Sequence, residues 1–420
     1  MDKFVITGGK ALEGKIKVEG SKNSALPLIA ASLLVDHGET VLSNIPALRD
    51  IETMIELIRH LGAKVEYDAA AGNLTINAED LTSDTAPYDL LRQMRGAFVV
   101  LGPILARLGH AKVSLPGGCS LGARPVDYHI KGLRAMGAEI SVSEGYVIAK
   151  KSKGKDSTVY FDRPTHTGTE NILFAAALGS GRTIIINAAC DPEVADVANY
   201  LISAGANIAG AGTPRIEVEA VEKLNPVSYE VAGDRLVAGT YLFAAAATGG
   251  KLETTGVNPQ ELEIVIEKLT EMGCTLETKE RSIKISAPAR LKATSVVTFP
   301  YPGFPTDLQA CMAAAMTVAD GTSRLRETVF DDRFGHAMEM RRLGAEITIS
   351  SDEALITGVS ELKGTTVMAG DIRAGAGLVI ACLAARKQSE IRRVYHIDRG
   401  YAHLEDKLRT LGAEIERKSE

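Results

Sequence analysis

Two kinds of apolar segment take turns along this chain. The first mixes polar and apolar residues at helical spacing, as in IETMIELIRHLG (Ile51–Gly62), VIEKLTEMG (Val265–Gly273) and HLEDKLRTLG (His403–Gly412). Such a helix buries one stripe and shows the other to water. The second kind is apolar nearly all round. It occurs as SALPLIAASLL from Ser24, RGAFVVLGPILARLG from Arg95, NILFAAALGSG from Asn171, GTYLFAAAATGG from Gly239, DLQACMAAAMTVADG from Asp307 and GAGLVIACLAARKQ from Gly375. Helices of that composition must be buried on every side. Each mixed helix runs into a Gly-Ala step, once Gly-Cys, of the kind that ends a helix. The phrases are LGAKV (Leu61–Val65), MGAEI (Met136–Ile140), AGANI (Ala204–Ile208), MGCTL (Met272–Leu276) and LGAEI at both Leu343–Ile347 and Leu411–Ile415. Short alternating strands follow, such as KVEYD with NLTIN or EITIS with EALIT.

The glycines of these phrases lie 75, 68, 68, 71 and 68 residues apart. A long fixed period means one unit copied six times. The pattern predicts an α/β fold of six βαβαββ-like repeats, arranged as two inside-out α/β barrel domains with buried central helices. Copy six stops soon after its first strand, and the N-terminal segment FVITGGKALEGKIKVEG supplies the strands it lacks. The expected domains are therefore residues 22–233, and residues 1–21 together with 234–420. The short crossings near Gly20–Lys22 and Ala232–Asp234 suit a hinge better than a loose tether.

The repeat also marks one abnormal copy. From the glycine opening a strand to the glycine of the phrase is 24, 24, 23 and 23 residues for Gly38, Gly181, Gly250 and Gly321, but 28 for Gly109. The extra residues fall in PGGCSLGARPVD, which carries Cys119. A loop lengthened in one copy and holding a thiol is a place for chemistry. Gly117, Gly118 and Gly122 would let it approach a ligand, and Arg124 would stabilise a thiolate or hold an anion. The bland alternative is a spare thiol on the surface.

The six apolar helices begin with different polar groups: Lys22-Asn23, Arg92 and Arg95, Thr165–Glu170, Asp234-Arg235, Thr306-Asp307, and Asp371 with Arg373. N-capping explains Asp234, Thr306 and Asp371 in part. It leaves Lys and Arg unexplained, because the helix dipole disfavours cations there. An anion shared between main-chain N–H groups and these cations would account for them.

Composition narrows the field further. The chain has 420 residues, 45% hydrophobic and 24% charged, with a net charge of −6. That balance gives no basic field for nucleic acid or an anionic membrane. Five scattered cysteines without a CxxC pair suit free thiols in a reducing cytoplasm. The remaining four, Cys190, Cys274, Cys311 and Cys382, read as small core residues. The histidines show neither HxH nor HExxH spacing, so no protein-bound metal and no cofactor is expected. GKALEGKI (Gly9–Ile16) nearly matches a P-loop, but Ile16 stands where Ser or Thr is required and a strand pattern follows. Gly375 and Gly377 fall inside an apolar helix, where close packing explains them.

Several segments together resemble one family. They are GSKNSALPLIAASLL, PGGCSLGARPVDYHIKGL, FPTDLQA, TVFDDRF, DIRAG and YHIDRGY. They are similar to the UDP-N-acetylglucosamine 1-carboxyvinyltransferases, enolpyruvyl transferases that open bacterial peptidoglycan synthesis. The resemblance runs end to end. It implies two domains of three repeats that close over phosphoenolpyruvate and UDP-N-acetylglucosamine in a cytoplasmic monomer. It also implies that Cys119 donates a proton to C3 of phosphoenolpyruvate, forms a covalent adduct with it and is alkylated by fosfomycin. Asp307 would be the base facing the sugar 3-hydroxyl. Lys22, Arg124 and Arg399 would hold the phosphate of phosphoenolpyruvate, with Arg333 and Arg373 in the same pocket. Asn23, Arg95, Pro125, Val126, Asp127, Tyr128 and Val329 match nucleotide-sugar contacts, and Asp371 would orient an arginine.

There are departures. Val99 stands where some members carry an aromatic residue. THTGTEN (Thr165–Asn171) replaces a run resembling SVGAT and puts His166 near the expected uridine phosphates. His166 is then either a ligand contact or part of a capped surface loop. Two rival functions share the repeat architecture. One is enolpyruvyl transfer to shikimate 3-phosphate, which uses no thiol loop. The other is a six-repeat DNA clamp, which needs Lys/Arg-rich helices facing the phosphates. An inactive paralogue is disfavoured because Cys119, Asp307, Lys22, Arg124 and Arg399 are all present.

Overall fold

The structure, a computed structural model, describes residues 2–116, 126–152 and 156–419. The chain divides into two compact units. Among the described residues one unit holds 2–19 and 233–419, and the other holds 20–116, 126–152 and 156–232.

All six mixed helices end at the glycine of their phrase. Gly62, Gly137, Gly205, Gly273, Gly344 and Gly412 have φ between 90° and 111°, where a side chain would be strained. The next residue donates its N–H back across the last turn: Ala63 to Ile58, Ala138 to Leu133, Ala206 to Leu201, Cys274 to Leu269, Ala345 to Met340 and Ala413 to Leu408, each at 2.9–3.2 Å. This is the Schellman arrangement, which satisfies carbonyls the helix leaves open. The residue after the glycine is buried in five copies, so it must be small; Cys274 fills the place of alanine.

Among the described residues each unit contains three four-stranded sheets with one shared topology. An edge strand runs parallel to its neighbour, and the other two pairings are antiparallel. In four sheets the parallel pair flanks a buried helix, as Thr366–Met368 and Gln388–Arg392 flank Ile372–Ala384. In the other two the parallel edge strand comes from elsewhere in the sequence. Glu13–Lys17 pairs with Lys251–Thr255, and Ser228–Glu230 pairs with Thr40–Ser43. The strand Asp2–Thr7 lies between Gln388–Arg392 and Glu414–Ser419. The sheets are six separate walls, and the described strands form no continuously hydrogen-bonded barrel.

The apolar helices are the cores. Arg235–Thr248, Gln309–Met316 and Ile372–Ala384 pack together in one unit; Lys22–Ala31, Leu101–Leu108 and His166–Ala177 lie in the other. Glycines let the helix backbones approach. A Cβ on Gly377 would stand 2.6 Å from the carbonyl oxygen of Ala310, and one on Gly102 would stand 2.5 Å from that of Asn171. Asn171 spends its own amide on this junction, accepting from Gly102 N at 2.6 Å and donating to the Phe98 carbonyl at 3.1 Å. It also donates to His129 Nδ1 at 2.7 Å, and burial pushes that imidazole down to about 4, so it is neutral.

Gly377→Ala should destabilise its unit by about 1–3 kcal/mol, since the added methyl must displace helix backbone. Gly335→Ala is the control, because a Cβ there meets nothing within 4 Å. Urea unfolding of the two variants should separate them; equal midpoints would contradict the close-packing account.

Candidate active site

Lys22 opens its helix behind Ser21, whose hydroxyl accepts from Ser24 N at 3.3 Å. Its ammonium lies 2.5 Å from Asp50 Oδ2, and both residues are under 10% exposed. Asp50 sits in the first turn of Arg49–His60, where the dipole favours an acid. The cation at this helix start therefore has an internal counter-ion, which the sequence reading did not foresee. A buried charge is tolerable only when paired in this way. Asn23 beside it is half-buried. Arg95 begins the 3-10 turn Arg95–Val100 and is half-buried, whereas Arg92 is exposed and pairs with Asp89 at 3.2 Å.

His166 starts the helix capped by Thr165, so it lies on a helix and not in a surface loop. Its Nε2 is 3.1 Å from Glu170 Oε1, one turn on, and Glu170 is 1% exposed. A ring nitrogen of His166 and carboxylate oxygens of Asp191 and Glu193 all lie within 4.8 Å of one another. Burial pulls the imidazole pKa down, but the carboxylates of Glu170, Asp191 and Glu193 outweigh it and raise the value to about 10. Burial raises Glu170 as well. A protonated His166 thus supplies positive charge to an acidic cluster at the starts of two successive helices.

In the other unit the structure brings three of the expected residues into direct contact. Asp307 accepts from Arg333 Nη2 at 2.8 Å through Oδ1, and from Arg373 Nε at 3.1 Å through Oδ2. Both arginines are under 9% exposed, while the Asp307 side chain keeps 29% of its surface. Charge-assisted bonds on both oxygens fix the carboxylate plane. Burial alone would lower the Arg373 pKa; Tyr401, Asp307 and Asp234 together raise it above the usual guanidinium value.

The turn that carries Asp307 is set by Glu327, which is 3% exposed. Its carboxylate accepts from Thr298 Oγ1 and Thr306 Oγ1, each at 2.8 Å, and from the N–H groups of Val329 and Phe330 at 2.8 and 3.2 Å. Val329 is placed by this grip. One expectation is corrected here. Thr306 does not cap its helix: the N-cap position is Pro305, and the Thr306 hydroxyl donates to Glu327. Asp371 is the N-cap of Ile372–Ala384 and accepts the main-chain N–H groups of Arg373 and Ala374 at 2.8 and 2.9 Å. The Arg373 guanidinium is held by Asp307. Arg399 ends the 3-10 helix Val394–Arg399 and is half-buried. Burial and the Arg399 charge push His396 below its ordinary pKa.

Cys119, Arg124 and Pro125 lie outside the described residues. Val126 stands at the N-cap of Asp127–Ala135, and Tyr128 on that helix packs edge-on to Phe161 at 6.0 Å. Burial raises the thiols of Cys274 and Cys311 to about 11 and Cys382 to about 12, so these are inert core residues. Cys190 differs from its expected place; it is half-buried in the loop before Pro192–Ser203. Sequence reasoning missed Asp50, Asp191, Glu193, Glu327 and Tyr401. Among the described residues no helix is long and apolar enough to cross a membrane.

Comparison with known proteins places this geometry in a class. The chain is superposable on the enolpyruvyl transferase NikO from Streptomyces tendae over 100% of its length and 99% of that chain, with a TM-score of 0.89 at 23% identity. An EPSP synthase from Acinetobacter baumannii matches over the full length of both chains, with a TM-score of 0.78 at 20% identity. The chain belongs to the EPSP synthase (3-phosphoshikimate 1-carboxyvinyltransferase) family, whose model matches residues 6–408. Within that family it is 49% identical over 418 residues to the UDP-N-acetylglucosamine 1-carboxyvinyltransferase of Thermodesulfovibrio yellowstonii, covering 99% of this chain and 100% of the relative. The protein of the same name from Desulfosudis oleivorans is 47% identical, covering 99% of each chain.

The raised pKa values of His166 and Glu170 mean that the folded state binds extra protons. Their stabilising effect should be complete at low pH. It should fade above pH 4.5 for Glu170, and between the unfolded histidine value of 6.5 and about 10 for His166. The stability gap between wild type and His166→Asn should therefore be widest below pH 6.5 and close toward pH 10. Thermal melts across that range would check it; a gap that widened with pH would reverse the assignment.

Proposed function

We propose that this protein transfers the carboxyvinyl group of phosphoenolpyruvate to the 3-hydroxyl of UDP-N-acetylglucosamine and releases phosphate, as a cytoplasmic, monomeric enzyme of peptidoglycan synthesis. The observation that carries this reading is the 49% identity, over essentially the whole of both chains, to a transferase named for that reaction. The acceptor distinguishes it from the shikimate 3-phosphate enzymes, whose solved relatives share the fold at 20% identity.

The roles follow from the chemistry. Asp307 takes the proton of the sugar 3-hydroxyl as its oxygen bonds to C2 of phosphoenolpyruvate. Cys119 gives a proton to C3, so the double bond is consumed and a tetrahedral ether forms. Loss of a C3 proton and of phosphate from C2 then restores the vinyl group. A carboxylate gripped by two guanidinium groups is a weak base, so the proton moves as the new C–O bond develops. The Arg333 and Arg373 forks keep an Asp307 oxygen aimed while it does so. Among the described residues Arg333 Nη1 is buried without a hydrogen-bond partner, a donor left unspent by the grip on Asp307. Lys22, Arg124 and Arg399 neutralise the phosphate and carboxylate of phosphoenolpyruvate.

The test is phosphate release from phosphoenolpyruvate with each acceptor in turn. UDP-N-acetylglucosamine should support turnover, and shikimate 3-phosphate should not. Release with shikimate 3-phosphate alone would overturn the proposal. Asp307→Asn and Cys119→Ser should each lower kcat by about 10²–10⁴-fold, the usual contribution of a positioned acid or base. Binding of the sugar nucleotide, measured by calorimetry, should stay nearly intact in Cys119→Ser.

A further inference from the structure

Arg373 is held at both ends of its guanidinium. Nε donates to Asp307, and Nη1 donates to the Tyr401 hydroxyl at 3.1 Å. Tyr401 is 2% exposed, and burial pushes its phenol up to about 12, so it stays protonated. Its oxygen lies 2.9 Å from Thr240 Oγ1. Thr240 has a single hydroxyl hydrogen, and it is directed to the Leu236 carbonyl at 2.8 Å. Tyr401 must then be the donor to Thr240, which leaves the lone pairs of its own oxygen for Arg373. The buried Cys311 thiol, 3.7 Å from Thr240 Oγ1, completes the junction.

The hydrogen bonds thus run one way: Arg373 to Tyr401, Tyr401 to Thr240, Thr240 to the main chain of its own helix. Thr240, Cys311 and Arg373 come one from each of the three buried helices of this unit. The Arg373 Cζ also lies 5.5 Å from the centre of the Tyr401 ring. Tyr401 follows Arg399 by two residues, and its N–H bonds back to the Ile397 carbonyl at 3.0 Å. One side chain therefore ties the segment ending in Arg399 and the guanidinium gripping Asp307 to the same fixed point.

We propose that Tyr401 is a positioning residue for the transfer reaction, its hydroxyl holding Arg373 in the orientation that aims Asp307. The inference rests on the function proposed above. Removing the hydroxyl leaves a buried guanidinium N–H without an acceptor, so the fork turns and the carboxylate loses one of its two constraints.

The experiment compares Tyr401→Phe, Thr240→Val and Thr240→Ser by steady-state kinetics on both substrates. In parallel, the hydrogen exchange of the Arg373 Nε–H is followed by NMR. Tyr401→Phe should lower kcat by about 10–100-fold with both KM values little changed, the loss expected from a misaimed group. Thr240→Val should follow it in the same direction, and Thr240→Ser, which keeps the hydroxyl, should restore most of the rate. Exchange of the Arg373 Nε–H should quicken in Tyr401→Phe and Thr240→Val only. Unchanged kcat in Tyr401→Phe, or equal losses in Thr240→Ser and Thr240→Val, would overturn the inference. A wild-type protein inactive on every acceptor would sink the functional reading instead. The exchange data would then decide whether the hydroxyl holds the arginine: unaltered protection in Tyr401→Phe would refute it.

Discussion

Complete burial of the apolar helices is the constraint from which the rest of this structure follows. A helix without a polar face cannot carry chemistry along its flank, because each polar group there would need a partner in the core. Its N-terminus is different. There the main chain presents N–H groups, and the neighbouring sheets and loops bring charged side chains. Lys22, Arg95, His166, Asp307, Asp371 and Arg373 all lie at or just within such ends. Charge has been pushed to the rim by packing.

What happens at those ends depends on how each charge is balanced. Lys22 opens a helix against the dipole and is balanced by Asp50. Arg373 does the same and is balanced by Asp307, while Asp371 closes the main-chain groups beneath it. His166 gathers three carboxylates around one imidazole. The counter-ions come from side chains that a helix-capping rule does not count. A buried pair of this kind adds little net stability, and removing one partner alone is expensive. Such pairs define geometry more than they strengthen the fold.

The sequence disclosed the periodic part of this arrangement. The Gly-Ala step was legible because one residue type must adopt positive φ and the next must be small, both visible in a bare string of letters. The apolar helices were legible for the same reason, since burial on all sides leaves no polar period. The pairings between copies were not. Asp50 looks like an ordinary first-turn acid, Glu327 like a strand-end polar residue, and Tyr401 like a loop aromatic. Their partners are fixed by how one repeat rotates against the next, which no local pattern encodes. Asp371 was legible as a helix cap, because that role is local to its own turn.

The Schellman stops insulate one copy from another. Each ends its helix with bonds made inside that copy, so the register of burial is set afresh about every seventy residues. An insertion between two stops is absorbed locally and leaves the phase of the neighbouring copies untouched. The second copy, longer than its siblings by four or five residues, shows this freedom in use. Duplication followed by insulated lengthening is a route by which a symmetric scaffold can acquire one singular loop without relearning how to fold.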